Sequence, residues 1–254
     1  MNVLVRRLGL AAAAISLASV IASSAGAQAL PDAKELIQKY GKAVGGDSWK
    51  SHKSARMKAT LEMPAAGMRA NIEAMNVFGN KTYLMKTEIP GMGEMQAGFD
   101  GSTAWSKDPV TGARILTGAE GEQAAEEADP EASMRTSPNI LTSETVEKTN
   151  MNNLDCYKVK HTWKSGRITH DCFSVSDGLI VASIIKQTTQ MGEIEVTQLL
   201  SDYKDFGGVR KASVTSLQMM GQEIKTTVVA WEWDTVKPEE MEPPADIKAL
   251  LKKG

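Results

Sequence analysis

Apolar and polar side chains alternate with a period of two along most of this chain. In the clearest run, Ala55, Met57, Ala59, Leu61 and Met63 are separated by charged or hydroxyl side chains. Because successive side chains of a strand point to opposite faces, the run predicts a strand with one apolar face. Similar runs separated by turns rich in Gly, Pro and Asn continue to about residue 233. The sequence therefore predicts ten or eleven antiparallel strands joined by tight turns.

Helical spacing replaces this alternation near both ends of the chain. Apolar residues recur at 3.6-residue spacing from Pro31 to Val44, after a candidate N-cap at Asp32 and before Gly45. This pattern predicts an N-terminal helix. Residues 243–251 predict a short closing helix. The predicted fold class is therefore mainly β (α+β). A large antiparallel sheet must curl, split or close, and a helix on its concave side would bury the apolar face.

Residues 118–153 interrupt the strand pattern. The first part, residues 118–133, is rich in Ala and contains six acidic and no basic residues. We expect one or two exposed helices or a flap here, and a helical or irregular segment up to residue 153. Two interpretations of the acidic part remain open: a solvated surface excursion, which composition favours, and a docking site for a partner.

The first 29 residues have the pattern of a secretory signal peptide. Arg6 and Arg7 precede an apolar run from Leu8 to Ile21, and small residues follow up to Ala29. A membrane anchor is the alternative, but the run is shorter than the ~20 residues that a bilayer span needs. We expect cleavage after Ala27 or Ala29, leaving residues 30–254 as a single exported, periplasmic domain.

Composition narrows the classes of partner. Without Arg6 and Arg7, the chain keeps 27 basic and 31 acidic side chains, a net charge near −4. No basic stripe with interleaved aromatic residues is present, so the sequence does not indicate nucleic-acid binding. The two cysteines, Cys156 and Cys172, lie in the predicted strands of one hairpin, and an oxidising compartment favours a disulfide between them. Free thiols or a metal site are the alternatives.

The sequence contains no established catalytic motif such as HExxH, GxSxG, a P-loop or GxGxxG. A metal or acid–base site would use His161 and His170, with Asp171. Residues that face each other across a hairpin have a constant index sum, and a shift of one residue reverses the faces. The sum for the two cysteines is even and that for the two histidines is odd. We therefore expect the histidines on opposite faces, and predict no catalytic residue, no metal and no cofactor.

What remains is an apolar face of the predicted sheet. In one interpretation it is ordinary core under a helix. In the other it lines a cavity that accepts acyl chains, because flexible Met side chains adapt to an apolar ligand. The candidate ligand-binding residues are Met57, Leu61, Met63, Met68, Ile72, Tyr83, Met85, Met95 and Phe99.

Several turn-rich segments resemble the outer-membrane lipoprotein-sorting (LolA/LolB-like) superfamily, in its divergent branch of exported stand-alone proteins. The resemblance covers roughly residues 33–251. It rests on Val44-Gly45-Gly46-Asp47, Gly98-Phe99-Asp100-Gly101-Ser102-Thr103-Ala104-Trp105, Cys156-Tyr157-Lys158-Val159, Asp177-Gly178-Leu179 and Asp202-Tyr203-Lys204-Asp205-Phe206-Gly207-Gly208.

The resemblance implies an incomplete antiparallel β-barrel with helices packed on its open side and an apolar cavity for acyl chains. It also implies a non-enzymatic carrier that exchanges lipid or lipoprotein with inner- and outer-membrane sorting components. The acidic insert and the cysteine hairpin depart from a standard carrier, so no partner-coupling residue is transferred. The alternatives are an envelope interaction module whose barrel is filled by its own side chains, and a hydrolase or metalloprotein that uses His161, His170 or Asp171.

Overall fold

The computed structural model describes residues 29–189, 192–219 and 222–252. All of the predicted signal peptide except Ala29 lies outside the described residues. The helices are α1 (Ala33–Ala43), α2 (Gly118–Glu127), α3 (Pro130–Ser133) and α4 (Ala245–Leu251), and short 3₁₀ turns occupy Ser48–Ser51, Pro64–Ala66 and Pro238–Met241. The strands are β1 (Ser54–Met63), β2 (Met68–Val77), β3 (Thr82–Ile89), β4 (Gly93–Phe99), β5 (Ala104–Asp108), β6 (Gly112–Leu116), β7 (Ile140–Met151), β8 (Leu154–Trp163), β9 (Ile168–Ser174), β10 (Ile180–Thr189), β11 (Gly192–Asp205), β12 (Arg210–Met219) and β13 (Gln222–Trp233).

One antiparallel sheet of 13 strands organises the molecule. Its order is β6-β5-β4-β3-β2-β1-β13-β12-β11-β10-β9-β8-β7, so the first and last strands pair in the middle of the sheet. Strands β6 and β7 are the two edges, and within the described residues they do not pair with each other. The sheet is therefore open, and the chain crosses from one edge to the other through α2 and α3.

The register of the strands divides the sheet into two faces. We call the face that α1, α2 and α3 cover the inner face and the opposite one the outer face. On the inner face, Leu36 and Tyr40 of α1 pack with Val159 and Phe173 of the sheet. In a second cluster, α2 packs on the opposite half of the sheet through Ala124, Ala128, Phe99 and Ala104. The predicted packing of helices against the sheet is confirmed for these three helices.

Helix α1 has well-defined ends. Asp32 caps its start, accepting a hydrogen bond from the Lys34 amide at 2.7 Å. Its end runs into Gly45, whose φ of +104° favours glycine. A Cβ atom on Gly45 would lie 2.1 Å from the Gly208 carbonyl oxygen, so only glycine permits this approach of the helix end to the β11–β12 turn.

Helix α4 packs on the outer face, which differs from the expectation that all helices cover the open side. Ile247 of α4 is fully buried against Met75, Leu84 and Trp105. Gly98 lies directly under Trp105, where a Cβ atom would approach the indole ring to 2.5 Å. The position next to Gly98 in the chain, Phe99, faces inward. Because neighbours in a strand face opposite sides, the same segment serves both cores.

The strand count and the length of the insert differ from the sequence prediction. The sheet has two more strands than the upper limit of ten or eleven, namely β6 and β7. Residues 134–153 were expected to be irregular or short-helical, but Ile140–Met151 form a 12-residue strand. As an edge strand, β7 exposes most of its side chains and carries no regular apolar face. Only its β-branched residues indicate a strand.

The hairpin of β8 and β9 places the histidines as predicted and the cysteines side by side. His161 pairs with Thr169 and Lys160 with His170, so the two histidines face opposite sides of the sheet. Cys156 and Cys172 are diagonal neighbours on the outer face, and both are buried free thiols. Burial raises the pKa of both thiols. A disulfide between them in the exported protein stays a prediction.

Met75, Leu84, Trp105 and Ile247 form the packed core of the outer face, which we call the outer cluster. Its burial predicts how much a substitution there costs in stability. Leu84→Ala removes a side chain that is 1% exposed, whereas Leu141→Ala removes one that is 61% exposed. We expect the first to lower the free energy of unfolding by about 3 kcal/mol and the second by less than about 0.5 kcal/mol. Urea unfolding measures both. Similar losses in the two variants would contradict the assignment of Leu84 to a packed core.

Candidate functional site

All nine candidate ligand-binding residues lie on the inner face. The register places Met57 opposite Ala74, Ala74 opposite Met85, and Tyr83 opposite Phe99, and each pair shares a face. Two of the nine are covered by α2: Phe99 is buried there, and Tyr83 packs against the same cluster. Burial raises the pKa of Tyr83 to about 12.

The other seven form a continuous apolar strip, which we call the inner strip. It consists of Met57, Leu61, Met63, Met68, Ile72, Met85 and Met95. None of the seven belongs to or packs against the four clusters of buried apolar residues in the described part of the chain. Met85 is 40% and Met95 42% exposed, and the remaining five are half-buried. The helices therefore leave this part of the inner face uncovered.

An aromatic cavity of 150 Å³ lies at one end of the inner strip, next to the α2–α3 junction. Its walls include Trp49, Phe78, Trp231 and Trp233. Trp49 meets Phe78 edge-on at 5.7 Å between ring centroids, and Trp231 lies 5.5 Å from Trp233. Met57 is the register partner of Trp231, so the cavity and the strip are contiguous.

The polar groups of this cavity are only partly paired. The Trp233 indole donates a hydrogen bond to the Phe206 carbonyl at 2.7 Å. The Trp231 indole nitrogen is buried and has no hydrogen-bond partner within the described chain. Lys211 also lines the cavity, with its ammonium 5.9 Å from the Trp231 ring centroid. Burial, with a smaller contribution from the positive charge of Arg135, lowers the pKa of Lys211 to about 8.

A wider mouth of 690 Å³ opens beside the aromatic cavity and shares Trp49, Phe78, Asp129 and Pro130 with it. Its charged and titratable lining residues are Lys50, Lys53, Lys81 and His52 on the basic side and Asp129 and Glu131 on the acidic side.

The acidic insert is tied to the sheet by ion pairs, which excludes a free surface excursion. Glu126 is buried and lies 3.3 Å from Arg167, which also pairs with Glu127 at 2.9 Å. Asp129 is 1% exposed and pairs with Lys81 at 3.1 Å. These acidic groups hold the crossing segment on the inner face and are paired within the protein.

A buried polar cluster fixes the end of the crossing segment. Arg135 follows α3 and binds the Asp171 carboxylate through two nitrogen atoms, one of them at 3.0 Å. Ser183 also donates to Asp171, and His161 lies 3.1 Å from it. Arg135 has a φ of +61°, a conformation that costs non-glycine residues about 1–2 kcal/mol. The ion pair offsets this cost by placing the guanidinium against β9.

The same cluster contains a serine, a histidine and an aspartate in line. The Ser143 hydroxyl lies 2.8 Å from Nδ1 of His161, whose Nε2 faces Asp171. Asp171 is already paired with Arg135 through two nitrogen atoms of the guanidinium. Ser143 and His161 therefore belong to the same polar network that holds Arg135 against β9.

No group of three or more His, Cys, Asp or Glu side chains in the described ranges is arranged to hold a metal ion. No helix in these ranges combines the length and apolar character that crossing a bilayer requires.

Local sequence patterns do not indicate the aromatic cavity or the position of Lys211 in its wall. Trp231 and Trp233 are two positions apart and so share a face of β13, which the sequence does show. Their position beside Met57 depends on the pairing of β13 with β1, which joins residues about 175 positions apart. No local pattern indicates that pairing.

The ion pair between Asp171 and Arg135 should make the stability of the protein depend on pH. Burial alone would raise the pKa of Asp171, but the Arg135 guanidinium and the contacts from His161 hold it well below its usual range. This stabilisation is complete above the pKa of an unfolded aspartate and is lost as the pH falls below it. We expect Asp171→Asn to lower the free energy of unfolding by about 3 kcal/mol at pH 7 and by less at pH 3.

Urea unfolding at both pH values measures this difference. Asp155→Asn is the matched control, because that carboxylate is 62% exposed and lies 3.7 Å from Lys148. The control should change stability by no more than about 0.5 kcal/mol. Equal losses for Asp171→Asn at pH 7 and pH 3 would contradict the ion-pair account.

Comparisons with solved structures support the fold predicted from the resemblance. A DUF1329 family protein from Desulfovibrio piger matches with a TM-score of 0.56 and 10% identity, over 84% of this chain and 100% of that chain. A LolA superfamily protein from Nitrosomonas europaea matches with a TM-score of 0.57 and 10% identity, over 84% and 99%. No family model matches the sequence, and no curated protein matches it. The chain therefore has a LolA-like fold with a divergent sequence.

Proposed function

We propose that this protein is exported to the periplasm and there binds and carries an apolar chain, such as the acyl chain of a lipid or lipoprotein, without transforming it. The observation that carries the proposal is the uncovered inner strip, which runs into the aromatic cavity. Soluble proteins rarely leave a contiguous apolar surface open unless it contacts a partner or ligand.

The chemistry of the strip suits a carrier. Five of its seven side chains are Met, which adapt to ligands of different shape because the thioether chain is flexible and polarizable. Each buried CH₂ group of a ligand contributes about 0.8 kcal/mol. A partly open strip allows the release that a carrier needs, because the ligand is not fully enclosed.

The fold and the predicted signal peptide also support the proposal of a periplasmic carrier. A solved LolA superfamily protein shares the fold, and the family resemblance implies a sorting carrier that meets inner- and outer-membrane components. The predicted signal peptide agrees with a periplasmic location. The rival proposal is an envelope interaction module, for which the inner strip would contact a protein instead of a lipid.

Binding of a neutral apolar fluorophore, N-phenyl-1-naphthylamine, tests the proposal. The mature, delipidated protein should take up the dye with saturable enhancement of fluorescence. Ile72→Glu places a charge in the inner strip and should weaken binding at least about tenfold, because a carboxylate next to an apolar ligand loses hydration. Asn71→Glu is the matched control, since Asn71 is the exposed outer-face neighbour on the same strand.

The control should bind the dye as the unchanged protein does, and thermal melting should show that both variants fold. No uptake by the unchanged protein would reject the carrier and favour the interaction module. Equal binding by the two variants would show that the dye binds outside the inner strip.

A further inference from the structure

The aromatic cavity holds a cation with no protein counter-charge. Lys211 is half-buried, and its ammonium makes no ion pair or hydrogen bond among the described residues. The acidic side chains that share the cavity wall are Glu127 and Asp129. Both are already paired, Glu127 with Arg167 at 2.9 Å and Asp129 with Lys81 at 3.1 Å. The local excess of charge in the cavity is therefore positive.

A second donor without a partner lies in the same wall. The indole nitrogen of Trp231 is buried and unpaired, whereas that of Trp233 two positions later is satisfied by the Phe206 carbonyl. Buried donors normally have acceptors, because leaving one unpaired costs about 1–3 kcal/mol. Lys211 and Trp231 thus offer donors of the two kinds that bind an anionic oxygen, an ammonium and an N–H group.

The position of these donors along the inner face matters as much as their chemistry. Trp231 pairs with Met57, the first member of the inner strip, which continues along β1 through Leu61 to Met63. A ligand with one polar end and one apolar chain would place its polar end in the cavity and its chain on the strip. The aromatic walls lower the local polarity around the half-buried ammonium, which strengthens its attraction to an anionic group.

We propose that Lys211 and Trp231 bind the carboxylate head of a long-chain fatty acid whose chain lies on the inner strip. This inference deepens the proposed function and depends on it. A charge-assisted hydrogen bond from an ammonium to a carboxylate contributes more than a neutral one. The bound carboxylate supplies the counter-charge that the half-buried Lys211 ammonium lacks among the described residues.

The test compares two ligands that differ only in the head group. Dodecanoate and dodecanol are titrated into the mature, delipidated protein by calorimetry at pH 7. We expect dodecanoate to bind about tenfold more tightly than dodecanol, a preference that comes from the carboxylate. Lys211→Met should abolish this preference while keeping dodecanol binding, since it removes the charge and retains an apolar side chain.

Lys204→Met is the matched control. Lys204 is the register partner of Lys211 on β11, but it is 54% exposed and pairs with Asp202 at 3.0 Å. This variant should keep the preference for dodecanoate. Lys211→Met should also raise the melting temperature of the unliganded protein, because it removes a half-buried cation that has no counter-charge among the described residues.

The outcomes separate this inference from the proposed function. Binding of both ligands with equal affinity, or a preference that survives in Lys211→Met, would overturn the carboxylate site and leave the apolar carrier standing. Failure of both ligands to bind would reject both proposals. A lower melting temperature for Lys211→Met would show that the lysine has a structural partner and would also overturn the inference.

Discussion

The ion pair between Arg135 and Asp171 is the interaction on which the arrangement of this molecule depends. The sheet has two unpaired edges, and a single segment of chain, residues 117–139, must cross between them. Arg135 anchors the end of that segment to β9, while Glu126 and Asp129 attach its middle to Arg167 and Lys81. A buried pair of this kind is costly to break, because removing one partner leaves the other charge uncompensated.

The position of the crossing segment determines which part of the inner face is available. Helix α2 covers Phe99 and Tyr83, and α1 covers the half of the sheet around Phe173. The strip along β1 to β4 receives no such cover and stays open beside the aromatic cavity. The fold thus divides one apolar face into a filled core and an open surface. The covered part is ordinary core, as one interpretation of the sequence predicted. The binding of a ligand by the open part stays a proposal.

Local patterns predicted much of this structure because period-two alternation reports directly which residues share a face. The common face of Met57, Ile72, Met85 and Met95 was correct for that reason. The same patterns failed for β7, an edge strand that lacks an apolar face, and for α4, whose apolar side could have packed on either face. Lys211, Trp231 and Arg135 acquire their roles from pairings between distant segments, which alternation does not encode. Cys156 and Cys172 are neighbouring free thiols on the outer face, and a disulfide between them stays a prediction.

The central claim is that an apolar ligand occupies the inner strip and no other surface. The most direct test is NMR of protein labelled with ¹³C at its Met methyl groups and titrated with dodecanoate. Both the inner strip and the outer cluster contain Met, so the spectrum reports on both faces of the sheet. The account predicts that the methyl resonances of Met57, Met63, Met68, Met85 and Met95 shift on titration. Those of Met75 and Met241, which lie in the outer cluster under α4, should stay unchanged. Shifts confined to Met75 and Met241 would contradict the account and place the ligand on the outer face.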